Sequence, residues 1–284
     1  MTDDGEHAVR VAPNRRLAEE YALVLASAGI DGRLEREPGR WLVLVPDALV
    51  ERAEGALAAY DHDRERVDDD AEPPKSAAGV VLSAVIVGVY AASGSRATWS
   101  HAFRAGSGVA ERIVAGEWWR AVTALTLHAD AAHLLGNAAS GLVFTTAVCR
   151  FLGPGLGTVL VLATGVVGNL LAAIVRRTAS SSVGASTAIF GAVGILCGRA
   201  VVRAARRRSI GRRPWIPLAA GLALLALLGT SEHADLLAHL TGFAVGLPLG
   251  AMTAATPRPR RPVQLVLAGG SALFVAVSWM LALR

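Results

Sequence analysis

The sequence predicts an all-α polytopic membrane protein preceded by a small α+β (βαββα) soluble domain. Three observations predict it. Of 284 residues 53% are hydrophobic and 18% charged, whereas an ordinary soluble domain carries about 25% charged residues. Charge is also unevenly spread. Residues 1–75 hold 18 of the 23 acidic residues and 10 basic ones, and residues 76–284 hold 5 acids and 18 arginines. Third, the apolar residues after Lys75 gather into runs long enough to cross a bilayer, which takes roughly 20 residues per helix. With a mean hydropathy of +0.44, the chain is excluded as a soluble enzyme, a disordered regulator or a disulfide-stapled secreted domain. The pI near 10.0 does not call for nucleic acid either. The arginines sit between apolar runs, as they do in membrane proteins.

Taken in order, His7–Val11 alternates like a strand and Pro13-Asn14 opens a helix. Its apolar residues Leu17, Tyr21, Val24, Leu25 and Ala28 recur at helical spacing up to Gly29. Ile30–Glu37 and Arg40–Val45 read as a hairpin turning through Pro38-Gly39. Asp47 is placed to cap a last helix carrying Leu49, Val50, Ala53 and Leu57. Residues 1–60 are thus expected to form a cytosolic α+β domain. Residues 61–76, with Asp68-Asp69-Asp70 and Pro73-Pro74, are expected to be an acidic flexible linker.

Seven membrane spans are expected, near 77–94, 131–149, 156–175, 184–203, 215–230, 233–254 and 263–283. Residues 77–254 make a membrane core, and 255–284 a C-terminal linker and seventh transmembrane helix. Arg96–Arg120, with Trp99, Trp118 and Trp119, suits the headgroup region. Cys149 and Cys197 fall inside apolar runs and read as small buried hydrophobes. Nothing at the N-terminus has the order of a cleavable signal peptide, so insertion is expected to start at the first internal span. Arginine clusters at 203–213 and 258–261 belong on the cytoplasmic side by the positive-inside rule. That leaves the N-terminus inside, the Arg96–Arg120 loop outside, and Arg176 and Arg177 as a minor violation.

In hydrocarbon, polar side chains are costly and mark function. Three clusters stand out: His128, His133 and Asn137; Gly184-Ala185-Ser186; and His239 with Gly242 and Gly246. The orientation places all three at similar depth below the outer surface. A serine hydroxyl is a weak nucleophile until a base takes its proton, and an imidazole, titrating near neutrality, suits that task. Gly242 and Gly246 share a helix face with His239, and small residues let membrane helices approach closely. Gly191 and Gly194 thin the fourth span in the same way. Ser186 falls in the first turn of its helix, where backbone N–H groups and the helix dipole can stabilise an oxyanion. His133 and Asn137, four residues apart on one face, can add donors to it. His128 is placed to orient the loop or a water. Asp235 stands one turn before His239 but is poorly placed to hold that ring as triad acids do.

These residues carry a resemblance. Trp119-Arg120, His128-x4-His133-x3-Asn137, Gly184-x-Ser186 and His239-x2-Gly242-x3-Gly246 occur in order, and on them the chain resembles the rhomboid intramembrane serine proteases over roughly residues 77–254. The resemblance implies a rhomboid-like six-helix core plus a seventh transmembrane helix, with Ser186 as nucleophile and His239 as general base. It implies His133 and Asn137 at the oxyanion site and Trp119-Arg120 in a structural loop between the first two helices. Thr187 stands where the family often has glycine, an exchange expected to narrow the site. Phe190 stands where an aromatic, often tyrosine, stacks on the base. The implied activity is cleavage of transmembrane protein substrates within the lipid bilayer of the cell membrane, with the site opening outward. No cofactor, metal or nucleic acid is implied. A catalytically inactive rhomboid-like protein that escorts membrane clients is the alternative, though it should lack one dyad partner. A metal protease using His128, His133 and His239 is disfavoured because no HExxH pair is present. A transporter is disfavoured because no repeat in two halves is evident. The fifth span and the Thr230–Glu232 turn are the candidates for an opening element.

Overall fold

The computed structural model describes residues 5–70, 76–176, 181–206, 215–228 and 235–284, in two units, Met1–Glu72 and Pro73–Arg284. In the first unit, β1 (Glu6–Ala12) leads into α1 (Arg15–Ser27). The side chain of Asn14 starts that helix by accepting from the backbone N–H of Leu17 at 3.0 Å. Next come β2 (Arg33–Glu37), β3 (Arg40–Pro46) and α2 (Val50–Asp70). The antiparallel sheet has the order β1-β3-β2, with Val11 opposite Leu42 and Leu34 opposite Val43. Val9, Leu25, Ile30, Val43, Val45 and Leu57 form its core. Two details depart from expectation. Asp47 opens a 3-10 turn, Asp47–Leu49, instead of capping the helix directly. The segment expected to be a linker from residue 61 is helical as far as Asp70, because nothing between Gly55 and Pro73 breaks a helix.

The second unit is helical, and each apolar run seen in the sequence forms a helix. It begins with α3 (Ala78–Ser93), followed by the short α4 (His101–Gly106), strand β4 (Gly108–Val109), α5 (Ala110–Val114) and α6 (Arg120–Thr123). Long helices α7 (Ala131–Leu152) and α8 (Pro154–Arg176) precede β5 (Ser181–Ser182), which pairs with β4. The chain continues with α9 (Ser186–Arg206), α10 (Ile216–Leu228), α11 (Leu236–Met252) and α12 (Arg261–Ala282). Among the described residues, α7, α8, α9 and α12 are long and apolar enough to cross a membrane, and α3 and α11 are shorter apolar helices. Arg177, Arg207, Arg208, Arg212, Arg213 and the Thr230–Glu232 turn lie outside the described residues.

The segment between α3 and α7 is organised by Arg120. Its buried guanidinium donates to the carbonyls of Arg104 (3.0 Å) and Ser107 (2.9 Å) and pairs with Glu117. The expected amphipathic stretch is therefore a folded loop of short helices. The seventh helix, α12, clamps both ends of the bundle. The Gln264 amide accepts from the N–H groups of Gly155 and Leu156 and donates to the Leu152 carbonyl. Near the opposite end of α12, Trp279 Nε1 donates to Thr126 Oγ1 at 3.1 Å.

Glycines decide how α9 meets α11. A Cβ on Gly242 would strike the carbonyl of Thr187, one on Gly246 that of Gly191, and one on Gly250 that of Ile195. Gly194 and Gly198 press on α11 backbone in return. The two helices touch backbone to backbone, which brings side chains at their shared end within bonding distance.

Candidate active site

Ser186 is the first residue of α9 and His239 lies in the first turn of α11. Their meeting is the direct result of the glycine contact below them. Ser186 Oγ and His239 Nε2 are 2.8 Å apart. With Nε2 unprotonated, the hydroxyl donates to it and stands ready to lose its proton. The Phe190 ring, one turn along α9, lies on the imidazole with centroids 4.6 Å apart. His239 is 5% exposed and Phe190 also 5%.

Ser186 and His239 face a cavity of about 680 Å³, lined also by His133, Asn137 and Phe190. The cavity is large enough for an extended peptide segment. Asp130 caps α7, accepting from the N–H of His133 at 2.8 Å. The Ala129 N–H donates to His133 Nδ1 at 3.4 Å, which puts the ring proton on Nε2 and makes that atom a donor. Nε2 lies against Gly184, where a Cβ would be 2.7 Å from it, and the Asn137 amide is close by. Asn137 Nδ2 donates to the His133 carbonyl at 3.0 Å. On the other side, the N–H groups of Ser186, Thr187 and Ala188 open α9 and have no carbonyl of their own helix four residues back. The site thus combines a hydroxyl held on a base with donors on two sides.

Other sequence candidates fall elsewhere. His128 does not line the cavity. It is fully buried behind His133, with ring centroids 5.2 Å apart. Burial and then the charge of His133 push its imidazole down to about 4. Trp119 and Arg120 belong to the loop that Arg120 organises. Thr187 does not narrow the site; its side chain turns toward Gly168 and Gly242 in the helix contact. Among the described residues no three His, Cys, Asp or Glu side chains come together as a metal cluster.

Two further residues line the cavity, and the sequence does not present them as a pair. Arg176, the last residue of α8, makes a two-pronged ion pair with Asp235, the cap of α11. Their separation of 59 positions hides the relationship. The only signals were an arginine against the charge rule and an acid one turn before a histidine.

Comparison with known proteins agrees with this architecture. The Rhomboid domain matches residues 115–256, half of the chain. YdcA of Bacillus subtilis (strain 168), a rhomboid protease by name, is 31% identical over 138 residues, covering 48% of this chain and 68% of that protein. Rhomboid protease GluP of the same organism is 39% identical over 84 residues, 30% of this chain and 16% of GluP. Rhomboid-like protease 3 of Toxoplasma gondii is 35% identical over 136 residues, 46% of this chain and 50% of that protein. With the match to the domain and to these proteases, the apolar helices make this chain a multi-pass membrane protein that belongs to the rhomboid family of intramembrane proteases.

Proposed function

We propose that this protein is a serine endopeptidase that cleaves membrane-protein substrates in or near their transmembrane segment through the dyad Ser186 and His239. The observation that carries the reading is the 2.8 Å contact between a serine at a helix N-terminus and a buried imidazole on a neighbouring helix. Ser186 Oγ attacks the scissile carbonyl carbon while His239 Nε2 takes its proton. Charge builds on the carbonyl oxygen. The α9 N–H groups, His133 Nε2–H and the Asn137 amide stabilise it, each such donor contributing roughly 3–4 kcal/mol in the transition state. His239 returns the proton to the leaving amine as the acyl-enzyme forms. Water, deprotonated by the same imidazole, then releases the acid. Phe190 holds the ring in its working plane throughout. A substrate helix must unwind to present its carbonyl, because an intact helix keeps that group hydrogen-bonded.

On this reading residues 77–254 are the protease core, residues 1–60 a cytosolic domain, residues 61–76 a connector and residues 255–284 the linker and seventh helix. Arginine placement favours a cell-membrane protein with its N-terminus in the cytoplasm and its cavity opening outward. The test incubates detergent-purified wild type, Ser186→Ala and His239→Ala with a labelled transmembrane peptide. Wild type cleaves and both variants do not, and a fluorophosphonate labels wild type at Ser186. A wild type that neither cleaves nor labels favours the client-escorting alternative instead.

A further inference from the structure

Arg176 and Asp235 are each anomalous alone. The first is a cation on the side that the charge pattern makes outer, and the second an acid beside a catalytic base without being placed to act on it. Together they form one device. Arg176 Nη1 donates to Asp235 Oδ2 at 2.6 Å and Nη2 donates to Oδ1. The same carboxylate accepts from the Ala238 N–H at 2.9 Å through Oδ1, and the Asp235 carbonyl accepts from the His239 N–H at 2.9 Å. The first turn of α11 is thus tied to the end of α8 by a planar, bidentate pair, a geometry that fixes orientation as well as distance. Lower down, the Thr241 hydroxyl lies 2.9 Å from the Gly168 carbonyl of α8 and 3.0 Å from the Leu237 and Ala238 carbonyls of its own helix, so the two helices meet a second time around its one proton. His239 lies between the two contacts.

We propose that Arg176 and Asp235 are positioning residues that hold the first turn of α11, and with it His239, in register with Ser186. The inference rests on the dyad reading above.

Cap and ion pair can be separated. Asparagine caps a helix as well as aspartate does, so Asp235→Asn keeps the cap and deletes the charge. The experiment measures kcat, KM, fluorophosphonate labelling rate and thermal unfolding for wild type, Asp235→Asn, Arg176→Gln, Arg176→Lys and the double variant Arg176→Gln/Asp235→Asn, with Ser186→Ala as control. A base displaced by a fraction of an ångström predicts kcat and labelling rate roughly tenfold lower in each of Asp235→Asn and Arg176→Gln. KM should stay within about twofold, because the pair is proposed to act through His239 and not on the substrate. Lysine keeps the charge with one bond and falls between. The double variant is no slower than either single one, because both remove the same interaction. Unchanged kcat in both single variants, losses that multiply in the double, or lowered melting temperature with wild-type kcat would each overturn the proposal. Cleavage by Ser186→Ala would instead overturn the dyad reading. If that variant is inactive while Asp235→Asn behaves as wild type, the positioning role alone fails.

Discussion

Gly184 lies so close to His133 that a methyl group on its α-carbon would be 2.7 Å from the imidazole Nε2, and its φ of +127° is one that residues with side chains rarely adopt. Both constraints act at the residue that leads into Ser186. Its N–H also donates to the Ala124 carbonyl at 2.9 Å, which pins this approach from outside.

Gly184→Ala therefore meets backbone strain of about 1–3 kcal/mol and pushes His133 out of place. Cleavage of a transmembrane peptide is expected to fall by roughly a hundredfold, the scale of a 1 Å misplacement. Activity within a factor of a few of wild type would mean that the ring at 133 has no part in the reaction.

The helix contact yields a matched pair of substitutions. Gly246→Val drives a branched side chain into the Gly191 carbonyl, whereas a Cβ on Gly270 of α12 meets nothing within 4 Å. Thermal unfolding in detergent should show a loss of about 1–3 kcal/mol or more for the first, together with loss of fluorophosphonate labelling. Gly270→Val should lie within about 0.5 kcal/mol of wild type. Equal effects at the two sites would refute the close packing.

Phe190 offers a test of the ring contact. Phe190→Ala removes a buried aromatic, a change that costs about 3–5 kcal/mol in well-packed cores, and frees the imidazole to rotate. Phe190→Tyr keeps the face that touches His239. We expect kcat more than roughly tenfold lower for alanine and within about threefold for tyrosine. Comparing kcat with the melting temperature of each variant separates orientation from stability.

His128 is expected to set an acid limit on the fold. Its imidazole titrates near 4 when folded, against 6.5 when exposed. Between those values the unfolded chain binds more protons, so stability is complete above about pH 6.5 and declines as pH falls toward 4. The full effect is about 3 kcal/mol. Melting temperatures followed through that window should drop for wild type and drop less for His128→Phe, which cannot titrate. Parallel curves would show that other groups control acid unfolding.

Much of this was readable from residue order. The helix starting after Asn14 follows from a capping side chain, and the spans near 131–149 and 156–175 became α7 and α8 within a few residues. Ser186 and His239 could be matched because each is a polar group in an apolar run with glycines at a helical period beside it. What the sequence hid depends on distant partners. Arg120 organises a loop through carbonyls 13 and 16 positions away, and no local pattern reports that. Thr187 does not narrow the site because a neighbour of Ser186 points one residue's turn, about 100°, around the helix, away from the cavity and into the contact with Gly168 and Gly242. In the sequence Arg176 and Asp235 stand apart, as exceptions to two different rules.

The glycine contact between α9 and α11 has a consequence for heredity. No amino acid is smaller than glycine, and at Gly198, Gly242, Gly246 and Gly250 the next size up already meets the opposing main chain. Neither helix can compensate for a change in the other by trimming a side chain, because there is none to trim. Descendants of this protein are therefore expected to keep glycine along this line, and an alignment of them with larger residues there would refute the close contact.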